Sequence, residues 1–574
     1  MDLKRILLLT LLVPLISVSP LSAQTYPTDF FRSPLDIPIS FSGTFGEIRA
    51  NHFHSGIDLR TCGAIGQPVH AAADGYVSRI NISPWGGGKV LYIDHPNGYR
   101  TVYMHLNDFC GEIGEWVRQY QYDHHTYAFD QNLPQGLIKV RKGDIVAHSG
   151  NSGASGGPHL HFEIRHSKND RTINPLYFGL EYVDNIAPTI RGIRLYPTDS
   201  LPIEVGANDS TITVNGPFYA GIYATDAAEQ STPKNGIDRI ELMVDGSLFW
   251  QYRLESYLFE ETRAVNTLID YPLYCSSRQA FLVTHVIKGS PFNPARNTYV
   301  SHQLDQLGAE SQSHPLLSDS DGILAFEAGT THRLDYRVYD HHNNVATRTL
   351  WVTAGKAATS NGLNPFSSYS PTHFYEPIVT KTSRYSVSIK ANTLYDDDMV
   401  VIQETHPETK TALPFGVRVS TKKQKLPPHK PFELKIFIPK NYRHLHRLTI
   451  VNIVGKKMTA CTTKRTGDTL TANPRFWGHY AVVQDTTPPK ITTTNPKPKK
   501  AFPKIINIKI SDNLSGIESY HCYVDGEWIL AEFDGKTNTL SIDTKESPKL
   551  KKGCTLKVVV TDACGNKSQK IIKY

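Results

Sequence analysis

Four histidines and one aspartate stand in three short motifs whose spacings suit a metal site. His54 and Asp58 are separated by three residues, His105 follows a Tyr-Met pair, and His159 and His161 flank a single leucine. Imidazole nitrogens and carboxylate oxygens are ligands that zinc accepts, and a catalytic zinc site needs three of them with a fourth position open for water. Residues two apart on a β-strand point to the same face, so His159 and His161 can act on one substrate. The pattern predicts a catalytic metal site built partly on a strand.

The order of these motifs resembles the lysostaphin-type (LytM-type) zinc endopeptidases, which cleave the peptides of bacterial cell walls. The resemblance runs from about residue 41 to residue 175 and includes the glycine-rich stretches at 86–88 and 150–153. The family usually has threonine just before its last Gly-Pro-His, where this chain has Gly156. That departure is tolerable, because the threonine hydroxyl is not a ligand. The resemblance implies an antiparallel β-sheet peptidase domain with one zinc ion.

The resemblance also implies a role for each site residue. His54, Asp58 and His161 would hold the metal, and His105 and His159 would stand on either side of the bound water and the scissile carbonyl. Zinc lowers the pKa of its water towards about 7. One histidine can then take the proton and pass it to the leaving amine, while the other stabilises the developing oxyanion. The sequence leaves open which is which, and we favour His159 as the base.

Short strands and tight turns must position these residues. Gly56 is expected to let the backbone turn so that the first two ligands converge. Alternating stretches at 68–77 and 90–94 predict half-buried strands, and Asn-Gly at 97–98 predicts a hairpin turn. His70 and His95 lie in these strands, and we interpret both as packed residues rather than ligands.

Residues 107–135 form a longer and more aromatic connection than the family usually has at this point. We interpret the segment as a long loop, for which two readings stay open. It could be a lid or wall of the substrate groove that offers aromatic faces to sugar or peptide. It could instead be an excursion packed on the outside of the domain.

The amino terminus predicts export. Residues 1–23 contain a basic start, an apolar run and a small-residue end, as in a cleavable secretory signal. An uncleaved membrane anchor is the alternative, but the apolar run is short for about 30 Å of hydrocarbon. No later segment is apolar enough to cross a bilayer. We expect the mature chain in the periplasm or cell envelope, or secreted.

The composition of the chain limits the kinds of ligand and partner that we expect. The formal net charge of +7 is mild for 574 residues, and no dense block of Lys and Arg indicates nucleic acid. Seven cysteines include no Cys-x-x-Cys pair, so a sulfur-ligated metal is not predicted. Cys554 and Cys564 could bridge facing strands, but we predict no pairing.

The rest of the chain contains an internal echo. A proline-containing segment that begins with Asp, at 184–190, recurs at 485–491, and the strand and turn at 334–344 recur at 556–566. Alternating strands with Asp-Gly and Gly-Asn turns predict tandem immunoglobulin-like sandwiches, so the chain is mainly β. The predicted units are a signal (1–23), a zinc peptidase domain (24–183), an immunoglobulin-like sandwich with an insertion at 252–320 (184–357), a β-rich domain (371–484) and an immunoglobulin-like sandwich (485–574).

Three functions are compatible with this organisation. The first is an exported zinc endopeptidase that hydrolyses peptide cross-links or stem peptides of peptidoglycan, with the later domains binding the wall or envelope proteins. The second is a non-catalytic regulator of other wall hydrolases, and the third is a wall-binding adhesin or scaffold. The complete set of ligands favours the first.

Overall fold

The computed structural model describes residues 26–231, 235–291, 321–356, 372–407, 411–422, 425–440, 442, 444–493 and 502–574. The predicted export signal lies outside these residues, as does the end of the predicted insertion. Within them the chain is mainly β, as predicted. None of the helices in the described part of the chain is long and apolar enough to cross a bilayer.

A large antiparallel sheet carries the predicted site. Its central order is Phe41–Gly43, Ile57–Arg60, His159–His166, Tyr99–Met104, Lys89–Asp94, Gly75–Ile82 and Phe129–Asn132. Three short strands extend it, namely Lys139–Val140, Thr172–Ile173 and Ser256–Tyr257. The last of these comes from the predicted insertion, which therefore returns to extend the peptidase sheet.

The register of this sheet brings the motifs together. His161 lies opposite Asp58 on one neighbouring strand and opposite Met104 on the other. The side chains of Leu160 and Phe162 point to the other face and are fully buried. Because alternate residues face opposite sides of a strand, the same alternation that buries the apolar side chains gathers the histidines on the second face.

Smaller elements complete this region. They are a three-stranded sheet of Pro68–His70, Ile145–His148 and Asp108–Phe109, a two-stranded ribbon of Ile48–Arg49 and His52–Phe53, and the 3₁₀ helix Pro175–Phe178. As predicted, His70 and His95 are packed residues, since their Nδ1 atoms lie 2.8 Å from the carbonyl oxygens of Gly143 and Asp74 respectively.

The interpretation of residues 107–135 as a long loop is wrong. They contain the α-helix Gly111–Asp123 and the strand Phe129–Asn132. Ile113, Val117 and Gln121 recur every four residues and are buried, which is the periodicity of a helix packed on one face. The sequence contains this spacing, so a helix could have been predicted here.

Residues 189–355 form two sheets. The four-stranded sheet contains Ile203–Val205, Thr189–Pro197, Phe218–Thr225 and Leu282–Val283. The five-stranded sheet contains Thr211–Asn215, Val345–Gly355, Thr331–Tyr339, Arg239–Val244 and Ser247–Arg253, with one parallel pair between its first two strands. The 3₁₀ helix Thr262–Thr267 and the helix Tyr271–Ser277 lie in the predicted insertion. Phe45 and Phe53 of the peptidase region share the core of these sheets.

Residues 378–484 form two five-stranded antiparallel sheets. The first contains Ile378–Lys381, Tyr385–Ile389, Glu433–Phe437, Thr469–Ala472 and Lys464–Thr466. The second contains Val400–Thr405, Gly416–Thr421, Gly478–Gln484, Leu448–Val454 and Lys457–Ala460. The 3₁₀ helix Leu445–Arg447 precedes one of these strands.

Residues 490–573, here called the terminal unit, form two four-stranded antiparallel sheets. One contains Lys490–Thr493, Ile505–Ser511, Thr539–Asp543 and Glu532–Asp534, and the other contains Glu527–Ile529, Ile517–Val524, Thr555–Asp562 and Lys567–Lys573. The 3₁₀ helix Thr544–Glu546 follows one strand. All seven cysteines are thiols, so the bridge considered between Cys554 and Cys564 does not form.

Candidate functional site

Three of the predicted residues converge on one point. His54 Nε2 lies 3.0 Å from Asp58 Oδ1 and 2.9 Å from His161 Nδ1, and His161 Nδ1 lies 2.8 Å from Asp58 Oδ1. Ligands about 2.0–2.1 Å from a tetrahedral zinc ion are separated by roughly 3.3 Å, so a triangle of this size matches a zinc site. All three residues are buried.

In His54 and His161, the ring nitrogen that faces away from the centre already has a hydrogen-bond partner. His54 Nδ1 donates to the Thr44 carbonyl oxygen at 2.7 Å, because a carbonyl can only accept. His161 Nε2 lies 2.9 Å from Glu163 Oε1. These partners fix the tautomers so that His54 Nε2 and His161 Nδ1 present lone pairs to the centre, as metal-binding histidines require.

Glu163 is a positioning residue that the sequence argument did not identify. It is fully buried, and it accepts hydrogen bonds from Ser55 and Arg165 as well as contacting His161. Burial alone would raise the pKa of Glu163, but Arg165, His161 and Ser55 bring it down to about 2. Its position two residues after His161 on one strand was the available signal, because that spacing places both side chains on one face.

Arg49 and Glu47 were also missed. Arg49 Nη2 lies 2.8 Å from Asp58 Oδ2, so one carboxylate oxygen is held by a guanidinium while the other faces the histidines. Burial would raise the pKa of Asp58, but the imidazoles of His54, His159 and His161 hold it well below its usual range. Burial raises the pKa of Glu47 to about 7 despite its contact with Arg49. Nothing in the sequence pattern singled out this pair.

The centre requires a cation. Burial would lower the pKa of His161, but hydrogen bonds to Asp58 and Glu163 raise it to about 9, so a proton can fill this role. Burial lowers the pKa of His54 to about 4, which keeps that ring neutral and able to bind a metal. The donor set of two nitrogens and one carboxylate oxygen fits zinc, which would displace the proton.

His105 and His159 lie together beside this centre. Their ring centroids are 4.8 Å apart, and His159 Nε2 is 3.5 Å from Asp58 Oδ1. Their Nδ1 atoms lie 2.9 Å from the Ser152 carbonyl oxygen and 2.8 Å from the Gly157 carbonyl oxygen respectively. Both rings must therefore donate from Nδ1, so in a neutral ring Nε2 is the acceptor.

The surroundings of His105 are unusual in two ways. Its φ is +62°, a left-handed conformation that is uncommon outside glycine and is often found at functional sites. Burial, with the nearby rings of His161 and His159, lowers its pKa to about 3. The structure thus holds a neutral imidazole in a strained position beside the centre.

Gly56 is required for a different reason from the one expected. Its φ is not in the left-handed region, so turning freedom is not its role. A Cβ at this position would lie 2.2 Å from the Phe162 carbonyl oxygen, which no side chain can accommodate. Glycine is needed because the two ligand-bearing strands approach each other closely here.

The terminal unit contacts the loop that leads to the site. Lys536 Nζ donates to the carbonyl oxygens of Asn151 and Ser155, in the loop that leads to His159. Lys89 Nζ lies 2.8 Å from Glu532 Oε1.

The helix and residues just after it also contact the terminal unit. The rings of Tyr122 and His125 have centroids 5.2 Å from that of Trp528. The segment 107–135 therefore packs against the terminal unit, which the sequence alone did not indicate.

Known proteins match the same part of the chain. The sequence model of peptidase family M23 matches residues 52–122 and 126–175, which include all five site residues. The N-terminal region is an M23 peptidase domain. An uncharacterized metalloprotease of Haemophilus influenzae is 31% identical over 159 residues, which cover 27% of this chain and 28% of that protein. The family match ends at residue 175.

Two named relatives match the M23 domain in the same way. The peptidoglycan DD-endopeptidase ShyC of Vibrio cholerae is 30% identical over 25% of this chain and 29% of its own length. The DD-carboxypeptidase/endopeptidase Mpg of Neisseria meningitidis is 32% identical over 22% and 23% respectively. The chain thus spans less than a third of the length of these curated relatives. Among solved structures, the catalytic domain of lysostaphin from Staphylococcus simulans is 25% identical over 24% of this chain and 87% of that one, with a TM-score of 0.18.

Proposed function

We propose that the protein is a zinc endopeptidase that hydrolyses peptides of bacterial peptidoglycan. The observation that carries the proposal is the convergence of His54 Nε2, Asp58 Oδ1 and His161 Nδ1 beside two further imidazoles. The relative ShyC is named a peptidoglycan DD-endopeptidase, so we favour cross-links over stem peptides as the substrate.

In this proposal the three converging residues are the zinc ligands. A zinc ion bound there would supply a Lewis acid for the scissile carbonyl and make a water molecule more acidic. Glu163 and the Thr44 carbonyl orient the two imidazole ligands, and Arg49 orients the carboxylate. Glu163 and Thr44 are buried, which keeps the geometry of the two imidazole ligands fixed during turnover.

His105 and His159 would handle the protons. Because each Nε2 is an acceptor, the pair can accept the two hydrogens of one water molecule and so orient it for attack. His159 Nε2 lies 3.5 Å from Asp58 Oδ1 of the ligand triangle, so we assign His159 as the base that receives the proton and returns it to the leaving amine. His105 can stabilise an oxyanion only after gaining a proton, and its strongly lowered pKa makes water orientation its better-supported role.

The remaining regions would place the enzyme in the cell envelope. Export follows from the sequence of residues 1–23, and the relatives named for peptidoglycan favour the periplasm or cell surface. The paired sheets and repeated turns of residues 184–357 and 485–574 support immunoglobulin-like sandwiches. We infer that these units hold the peptidase domain at the wall or on envelope proteins.

Digestion of purified sacculi tests the proposal. Zinc-loaded full-length protein should release soluble fragments, and a metal-depleted sample should release them only after zinc is restored. Mass spectrometry of the products from defined muropeptides identifies the bond. Equal digestion by both samples would refute the zinc endopeptidase, and stimulation of an amidase by a sample that digests nothing would favour the regulator.

A further inference from the structure

Three aspartates outside the histidine centre form a second buried cluster. Asp184, Asp226 and Asp340 each place a carboxylate oxygen within 4.8 Å of the others. Their exposed fractions are 7%, 6% and 2%. In the described part of the chain, no lysine or arginine forms a salt bridge with any of them or lowers their pKa values.

The cluster is formed where strands end. Asp226 directly follows the strand Phe218–Thr225, and Asp340 directly follows the strand Thr331–Tyr339. Asn344 links the cluster, because its backbone N and its Nδ2 donate to the two carboxylate oxygens of Asp340 and its Nδ2 also donates to the Asp184 carbonyl.

Burial and mutual repulsion disfavour the ionised form of all three aspartates in this cluster. Burial, with the charges of Asp184 and Asp340, raises the pKa of Asp226 to about 7. Burial also raises the pKa of Asp184 to about 6 and raises that of Asp340. The nearby imidazoles of His341 and His342 partly offset these effects by lowering the pKa values of Asp184 and Asp340 respectively. Buried carboxylates of this kind are normally paired or coordinate a metal.

An unpartnered amide provides a second, independent observation. Asn235 is 3% exposed, and neither its Oδ1 nor its Nδ2 has a hydrogen-bond partner among the described residues. Its backbone exchanges both hydrogen bonds with Asp226, at 3.0 and 3.2 Å. Directly paired residues of antiparallel strands project to the same face, so the Asn235 amide lies beside the Asp226 carboxylate. Asp226 Oδ1 is itself unpartnered.

We propose that Asp184, Asp226, Asp340 and Asn235 bind one calcium ion. The available donors are all oxygens, from three carboxylates and one amide, which suits a hard cation. Calcium accepts six to eight oxygen ligands in flexible geometry, so backbone carbonyls and water can complete the shell. Bound calcium would neutralise the carboxylates and satisfy the buried amide oxygen, which is otherwise costly to leave without a partner.

The terminal unit repeats the arrangement in part. Asp485, Asp512 and Asp562 form an equivalent cluster, and Asn566 donates to Asp562 Oδ1 at 2.9 Å, Asp562 Oδ2 at 2.8 Å and the Asp485 carbonyl at 3.1 Å. The matching distances for Asn344 are 2.9, 2.7 and 3.1 Å.

The two clusters differ at the positions of Asp226 and Asn235. Asp512 is only half-buried, and Ser515 stands where the first cluster has Asn235. The proposal therefore concerns the first cluster, and the terminal cluster supplies its matched comparison.

The calcium site lies next to the support of the histidine centre. The backbone N of Gly236 donates to Thr44 Oγ1 at 2.7 Å, and the Thr44 carbonyl holds His54. Calcium bound to Asn235 would thus fix the residue next to Gly236, and Gly236 contacts Thr44, which orients His54. This consequence depends on the proposed function, whereas calcium binding itself does not.

Calorimetric titration of the zinc-loaded, full-length protein with CaCl₂ tests the site. Asp226→Asn removes one ligand charge at nearly constant volume, and Asp199→Asn removes an exposed charge from the same pair of sheets as a control. We expect the wild type and Asp199→Asn to bind calcium and to melt at a higher temperature with it. Asp226→Asn should bind calcium at least about tenfold more weakly, which is the usual loss when a partner at a metal site is removed. Its melting temperature should not rise when calcium is added.

Calcium-free samples separate a lost site from a failed fold. There Asp226→Asn should melt no lower than the wild type, because a repelled buried charge has been removed. Asp512→Asn should leave calcium bound at the first cluster. The proposal is overturned if the wild type binds no calcium at about 10 mM, above the weakest protein calcium sites. Equal calcium binding by Asp226→Asn, or tighter binding of MgCl₂ than of CaCl₂, would also overturn it.

Discussion

The histidine centre and the aspartate cluster differ in how their polar atoms are supported and neutralised. In the first, His54 and His161 have their outward-facing nitrogens held by acceptors, so both rings can turn a lone pair inward once the proton on His161 is displaced. In the second, Asp184, Asp226 and Asp340 turn unneutralised oxygens towards one another. The comparison teaches that the supporting partners, as much as the clustered atoms, determine which cation a buried cluster can hold.

The largest expected effect comes from removing a ligand of the histidine centre. His54→Ala or Asp58→Ala should abolish both bound zinc and sacculus digestion, because two ligands do not hold zinc in a catalytic geometry. Zinc content by mass spectrometry and digestion assays check this, with circular dichroism showing that the sheets remain folded. Digestion by a folded, zinc-free variant would contradict the assignment.

The second effect separates proton transfer from metal binding. His159→Ala should keep most of the zinc and lose about 10²–10⁴-fold in turnover, the usual contribution of a general base. His105→Ala should also keep zinc but lose less, because water orientation by His159 remains. A packed residue, His95→Ala, gives the control for general damage. If His105→Ala loses more turnover than His159→Ala, the two roles must be exchanged.

The third effect concerns the support of a ligand. Glu163→Gln keeps an acceptor for His161 Nε2 but removes the charge that balances Arg165, so zinc affinity should fall about 10–100-fold. Competition with a chelator measures the change. Activity should return when zinc is supplied in excess, which would not occur if Glu163 itself took part in the reaction.

The smallest effect should come from the contact with the terminal unit. Lys536→Ala removes the donor to the Asn151 and Ser155 carbonyls and loosens the loop before His159. An exposed contact of a lysine contributes about 0–1 kcal/mol, so kcat/KM on a muropeptide should fall by less than about fivefold. Lys545→Ala, an exposed lysine of the same unit, is the matched control. A loss comparable to that of His159→Ala would mean that the loop position is decisive.

Short-range patterns were readable from the sequence. The motif spacing brought His54, Asp58, His105, His159 and His161 into one hypothesis, and the structure places their rings and carboxylate together. Strand alternation determines this outcome, because it fixes which side chains share a face over a few residues.

Long-range partners were not readable in the same way. Lys536 contacts Ser155 across 381 residues, and Arg49 reaches Asp58 through packing that no local period encodes. In the sequence, Asp184 and Asp340 stand out only as members of the two repeated segments. Their convergence with Asp226 depends on how two sheets pack, which a single sequence does not specify.

Anomalous diffraction at the zinc edge from crystals of the zinc-loaded protein tests the central claim most directly. We predict one peak about 2.0–2.2 Å from His54 Nε2, Asp58 Oδ1 and His161 Nδ1, with its open side towards His105 and His159. A peak elsewhere, or a fourth protein ligand closing that side, would contradict the proposed hydrolytic centre.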